Sequence, residues 1–164
     1  REVEAETIPQ VRLDNGATVR VISGEIAGEK GPVRDIVIDP LYLDVTVPPA
    51  AKFSHEVTKG YTVFAYVLEG DGRFEEEQDP LEYKTEGAPY FDFETRRNIG
   101  IESLVLYDDG DAVEVEAGKN GVRFLLISGK PLREPVAWYG PIVMNTREEL
   151  ETAFDEYRKG TFIK

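Results

Sequence analysis

Cysteine is absent from this 164-residue chain, and histidine, methionine and tryptophan each occur once. Without cysteine there are no disulfides, thiolate metal sites or thiol nucleophiles, and a reducing compartment is the expected setting. One histidine, His55, is a poor basis for a serine triad, and no G-x-S-x-G elbow accompanies it. No apolar run approaches the roughly 20 residues of a membrane-spanning helix, and no charged and apolar leader precedes a cleavage site, so no membrane partner is expected. Positive charge is also scarce. With 19 basic side chains against 32 acidic ones the net charge is −13, and such a surface repels phosphate backbones unless a basic patch intervenes. The only adjacent basic pair, Arg96-Arg97, reads as a solvated loop, as does the acidic run Glu75-Glu76-Glu77, so direct contact with nucleic acid is not expected. The glycines of "VISGEIAG" and "LEGDG" lack the G-x-x-x-x-G-K-[ST] pattern of a phosphate loop.

What remains is a chain long enough for one domain, burying roughly two thirds of its unfolded surface, and written largely in strands. "LYLDVTVPP" alternates strictly: Leu41, Leu43, Val45 and Val47 lie on one face, Tyr42, Asp44 and Thr46 on the other, and Pro48-Pro49 ends it. "ATVRVIS" precedes a glycine-rich run from Gly24 to Gly31, and "YTVFAYVLEGDGRF", "SLVLYDDGD", "AVEVEAG" and "VRFLLISG" follow. Each is closed by Gly or Asp-Gly, and many short strands with such turns predict a sandwich or barrel. No period of about 20 to 50 residues recurs, which argues against a solenoid or propeller. Residues from about 75 to 100 have no clear periodicity and read as an excursion from the strands.

Two strands are apolar on both faces. Val63, Ala65 and Val67 oppose Phe64, Tyr66 and Leu68, while Leu125 and Ile127 oppose Phe124 and Leu126. A strand with a solvated face alternates apolar and polar residues, so these two need a covering layer. Part of that layer is expected from a terminal helix. Thr146-Arg147-Glu148-Glu149 has the form of a capping box; Leu150, Ala153, Phe154 and Tyr157 make an apolar stripe; Arg158, Lys159 and Gly160 suit the C-terminal end. Thr146 and Glu149 are read as structural cap residues. The rest of the layer is expected from a second domain.

His55 reads as an ordinary loop or strand-edge histidine, Tyr66 as a packing residue rather than an acid, and Trp138 in "EPVAWYGP" as an interface anchor before a ligand-stacking ring. Together, His55, Phe64, Tyr66, Leu68 and Trp138 are the candidate pocket or interface residues. One histidine cannot supply the three or four convergent donors of an iron or zinc site, so no catalytic, metal or cofactor residue is assigned; surface carboxylates would recruit calcium only weakly.

The tail "FLLISGKPLREPVAWYGPIVMNTREEL" strongly resembles the C-terminal region of the pirin family, and "IPQV", "VISGEIAGEKGPV" and "LYLDVTVPP" resemble it upstream in the same order. The resemblance covers nearly the whole chain except about 75–100. It implies an all-β fold: a cupin, double-stranded β-helix or jelly-roll barrel over 35–145, preceded by an interdomain linker and flanking strands over 1–34 and followed by a helix and tail over 146–164. Pirins are bicupins, and the resemblance implies that an N-terminal cupin domain, carrying Fe(II) on three histidines and a glutamate, is missing from this chain, which opens on Arg1. On the general cupin pattern Phe53 takes the first histidine position and His55 the second. Val63 takes the glutamate position before Gly70, although His55 and Val63 stand further apart than the pattern has them, and "RFLLISG" offers no histidine.

Two functions follow from the resemblance. One is an iron-dependent quercetin 2,3-dioxygenase-type oxidoreductase acting on a flavonol-like small molecule in the N-terminal barrel, with this metal-free domain walling the site and holding its partner. The other is a redox-responsive, iron-binding transcription cofactor without enzymatic role. "AWYGPIVMNTREEL" resembles prokaryotic members and favours the first. The implied location is the cytoplasm, or the nucleus in a eukaryote.

Overall fold

The computed structural model describes residues 3–74 and 98–163. Glu75-Glu76-Glu77, Arg96-Arg97 and the excursion around them lie outside the described residues, apart from 98–100. The described strands are β1 (Gln10–Arg12), β2 (Thr18–Ser23), β3 (Glu25–Ile26), β4 (Glu29–Lys30), β5 (Leu41–Val47), β6 (Lys52–Glu56), β7 (Thr62–Arg73), β8 (Ile99–Gly100), β9 (Leu104–Leu106), β10 (Ala112–Gly129), β11 (Ala137–Tyr139) and β12 (Ile142–Met144). Among the described residues one α-helix, α1 (Arg147–Lys159), follows. The chain divides into two compact units, residues 1–131 and 132–164.

In the first unit one antiparallel sheet runs β1-β2-β5-β10-β7-β8, with β6 added to β10 and β9 to β7. The long strand β10 is its spine: residues 112–116 pair with β6, and residues 122–128 pair with β5 on one side and β7 on the other. The sequence divides this strand into "AVEVEAG" and "VRFLLISG", and it ends the preceding one in a turn at "EGDG"; the structure corrects both. β7 continues through Gly70-Asp71-Gly72 to Arg73, and β10 passes through Gly118-Lys119-Asn120-Gly121 with a register shift between Ala117 and Val122. Here glycine permits a bulge and a close approach of two strands instead of a turn. Gly70 (φ 70°) is in the left-handed region, and a Cβ there would overlap the Gly121 carbonyl.

One face of the sheet is the core. Val19, Val21, Leu43, Val45, Val67, Phe124 and Leu126 are fully buried on it. Phe124 sits edge-on to Phe53 (centroids 5.8 Å) and to Phe74 (5.2 Å), which joins β10 to β6 and to the end of β7 in the offset geometry aromatic rings prefer. Val63, Ala65 and Val67 are therefore the inward set, and Phe64, Tyr66 and Leu68 the outward one.

Asp44 departs from the expected alternation by being buried. The cause is Arg123 on β10, whose Nε and Nη2 donate to the two Asp44 carboxylate oxygens at 2.9 Å each, while Nη1 donates to Glu69 at 2.7 Å. The bidentate pair raises the guanidinium pKa above its ordinary value, with the Asp44 hydrogen bond the main cause, and it ties β5, β10 and β7 together on the outer face.

The second unit is built on its own small core. Residues 137–144, which the sequence reading assigned to the barrel, form the separate hairpin β11–β12, whereas the last strand of the main sheet ends at Gly129. At the other end, β1 and β2, assigned to a flanking segment, are paired members of the main sheet. Leu150 and Ala153 of α1 bury against Ile142, with Ala137, Met144 and Phe154 half-buried around them. This hairpin supplies the surface that the helical stripe requires. Tyr157, expected in the stripe, is instead exposed. The capping box forms as read: Thr146 Oγ1 accepts from the Glu149 N–H (3.2 Å), and the Glu149 carboxylate accepts from the Thr146 N–H (3.0 Å), a cap that contributes about 1 kcal/mol. Gly160 (φ 71°) closes the helix in the left-handed conformation.

Candidate functional site

The outward residues of the main sheet form continuous rows. Leu106, Phe64, Ile127 and Tyr42 are neighbours across β9, β7, β10 and β5, and Leu104, Tyr66 and Leu125 make a second row that ends at the Asp44–Arg123 pair. Leu104 and Leu106 are 62% and 67% exposed; Phe64, Tyr66, Leu68, Leu125 and Ile127 are half-buried. Strand alternation makes this inevitable: with Val63, Ala65 and Val67 pointing into the core, Phe64, Tyr66 and Leu68 must point the other way. The sequence-derived candidates Phe64, Tyr66 and Leu68 are thus brought together. The Asp44–Arg123 pair, its carboxylate buried and its guanidinium half-buried, marks the polar edge of the patch.

His55 is not among them. It lies on β6 on the same side as Phe53, opposite Val113 of β10, with its ring stacked on that of Phe53 at 6.4 Å between centroids. It therefore points inward, toward one end of the sheet's core, and lines an open recess of about 980 Å³ together with Ser23, Ser128, Leu41, Val57 and Tyr61. Ser23 and Ser128 are both buried at the recess. Sequence reasoning missed them, although the parity of "FLLIS" was available: Ser128 shares the inward face with Phe124 and Leu126. Trp138 belongs to the second unit, is 73% exposed, and donates its indole N–H to the Gly140 carbonyl at 2.7 Å. Its ring does not anchor the hairpin on the core of its own unit.

Phe53 and Val63 stand at the positions that the resemblance assigns to cupin metal ligands, and both face inward. Phe53 is fully buried, Val63 is 4% exposed, and among the described residues no group of three or more His, Asp and Glu side chains converges. The donor set at this end of the sheet, one imidazole beside an aromatic ring and aliphatic chains, does not fit an iron centre.

Burial lowers the His55 pKa below its ordinary 6.5, and the nearby Glu56 carboxylate opposes this more weakly. The folded chain thus favours the neutral ring. Protonation then costs stability: the full contribution holds above about pH 6.5 and declines as pH falls through the folded-state pKa. The C–H signals of the chain's single histidine are expected to titrate below 6.5, and His55→Gln is expected to flatten the corresponding part of the stability–pH curve. A ring midpoint at or above 6.5 would contradict the inward, desolvated placement.

The family profile of the pirin C-terminal cupin domain matches residues 42–163. A putative quercetin 2,3-dioxygenase of Thermoplasma acidophilum is 30% identical across the whole chain, human pirin is 37% identical over 96% of it, and a pirin-like protein of Caulobacter vibrioides is 35% identical over 99%. These matches take in 58%, 49% and 51% of those proteins, so the chain spans about half the length of the curated relatives it matches. The crystal structure of a quercetin 2,3-dioxygenase from Acinetobacter baumannii superposes with a TM-score of 0.74 and 26% identity, over 98% of this chain and 49% of that one. With the family profile matched over most of its length, the chain belongs to the pirin family and corresponds to its C-terminal cupin domain.

Proposed function

We propose that this chain is the metal-free half of a two-barrel protein, in which the outer sheet face docks an N-terminal cupin domain that carries Fe(II), and that the intact protein acts as a quercetin 2,3-dioxygenase-type oxidoreductase on flavonol-like small molecules. The observation that carries the reading is the double row of apolar side chains from Leu104 and Leu106 to Tyr42. A sheet face of this composition is stable when something packs on it, and a patch of a few hundred Å² usually marks an interaction surface. That the chain matches about half of its relatives' length supports a partner from the same protein. The activity is suggested by the relative and the solved structure that bear the quercetin 2,3-dioxygenase name. In this reading the domain supplies a wall and a rigid mount, and no proton or electron passes through its residues. A cytoplasmic setting goes with it.

The test uses the intact gene product, including its upstream region. One iron per chain, retained in His55→Leu, and quercetin-dependent oxygen uptake are expected. With the upstream half supplied separately, Tyr66→Asp and Leu104→Asp should each weaken its association with this chain at least about tenfold, the scale for truncating a buried anchor. Loss of all iron in His55→Leu, or association indifferent to both substitutions, would overturn the reading. Iron without quercetin-dependent oxygen uptake would favour a non-enzymatic, redox-responsive transcription cofactor.

A further inference from the structure

A separate set of observations concerns the recess at His55, on the opposite face from the apolar rows. Ser128 is only 5% exposed, faces inward into the recess, and its hydroxyl has no hydrogen-bond partner among the described residues. The hydroxyl opens onto the recess, where water or a ligand is left to meet it. The His55 imidazole, also lining the recess, likewise has no hydrogen bond among the described residues; its one ring contact is the stack on Phe53. Ser23 differs, since its hydroxyl already donates to the Val33 carbonyl at 2.9 Å and leaves only acceptor capacity.

The rim carries a second signal. Three non-glycine residues that line the recess, Ala27 (φ 49°), Asp35 (φ 61°) and Asp39 (φ 45°), are held in the left-handed region. Ala27 loses about 1 kcal/mol there, Asp35 and Asp39 less because a short polar side chain tolerates the region, and strain of this kind concentrates where a loop is shaped around a ligand.

Charge and wall chemistry narrow the ligand. Glu25, Asp35, Asp39 and Glu56 outnumber Lys30 and Arg34 around the recess, and Lys30 is already paired with Glu25 at 3.2 Å. An anion is therefore disfavoured. The remaining walls include Leu13, Ile26, Val33, Ile36, Leu41 and Val57, and the volume is ample for a fused-ring molecule. We infer that this recess is a second, metal-independent binding site of the chain, which takes an uncharged, hydroxyl-bearing aromatic molecule whose polar groups meet Ser128 and His55 while its rings lie on the aliphatic wall. The inference does not depend on the docking face or on the activity proposed above, because every residue it uses belongs to this chain.

The probe is 2-naphthol, with 2-naphthoate as its anionic counterpart, titrated into the 164-residue chain while the ring signals of the only histidine are followed. Saturable shifts with a dissociation constant below about 1 mM are expected for the naphthol, the range its size allows. The naphthoate should bind at least about tenfold more weakly, as repulsion by the acidic rim requires. Ser128→Ala and His55→Leu should each weaken naphthol binding roughly three- to tenfold, the worth of one hydrogen bond. Ser128→Ala removes an unpaired hydroxyl and leaves the fold intact, so it decides the matter even if His55→Leu unfolds the chain. Non-saturable shifts, equal binding of the naphthoate, or an unchanged constant in Ser128→Ala would each overturn the inference.

Discussion

Gly70→Ala is expected to destabilise the sheet by about 4 kcal/mol, at the upper end of what single substitutions cost. Two costs combine. A residue with a Cβ in the left-handed region loses about 1 kcal/mol. The added methyl would also overlap the Gly121 carbonyl on the neighbouring strand, so β7 and β10 must separate where both bend, and ladder hydrogen bonds worth about 1 kcal/mol each weaken. The control is Gly60→Ala. Gly60 has a similar backbone (φ 82°) with no atom within 4 Å of an added Cβ, so only the first cost of about 1 kcal/mol applies. Urea melts of both variants measure the difference. Equal losses would show that the two strands do not need the close approach.

Phe124→Ala is expected to cost about 3–5 kcal/mol, with the thermal midpoint falling by about 2–4 °C for each kcal/mol in a chain of this size. Phe124 is fully buried between Phe53 and Phe74, on β10, which pairs with β5, β6 and β7, so the cavity left behind is bounded by rigid strands and cannot collapse readily. Its neighbour Leu125 faces the other way and is half-buried in the outer apolar rows. Leu125→Ala should cost about 1 kcal/mol in this chain, since a half-buried side chain contributes about half of its full burial. A larger loss at Leu125 than at Phe124 would reverse the assignment of the two faces and, with it, the docking surface.

The two variants also separate what alternation can and cannot specify. The strands themselves, the capping box at Thr146 and Glu149, and the need to cover both faces of "YTVFAYVL" were readable from residue order, because side-chain parity and helix caps are local properties. Which of the two apolar sets lines the core was not, because Val63-Ala65-Val67 and Phe64-Tyr66-Leu68 have equal claims until β10 and β9 fix the register. Asp44 was expected among polar outward residues. Its burial depends on Arg123, 79 positions later, whose partner choice is settled only when β5 and β10 lie side by side.

The glycines make the same distinction. Asp-Gly and Gly-x-Gly announce turns by local conformational preference, and that rule failed at Gly70-Asp71-Gly72, where glycine is needed because a second backbone passes too close for a Cβ. Likewise the strand spacing and the pirin resemblance carry the expected barrel to 145, whereas residues 137–144 pair with themselves as β11–β12 and take Leu150 and Ala153 as their core.

By itself, the sequence determined the pirin resemblance, the strand content, the helix with its caps, and the presence of a single imidazole at the cupin ligand positions. Each of these is set by residue identity or by neighbours a few positions apart. Tertiary structure alone decided that His55 faces inward, that Ser128 and Ser23 meet it at one recess, and that the outward residues of four strands join into one apolar face. Those arrangements depend on strand pairing between segments tens of residues apart, and pairing register is a property of the folded sheet that no local pattern carries.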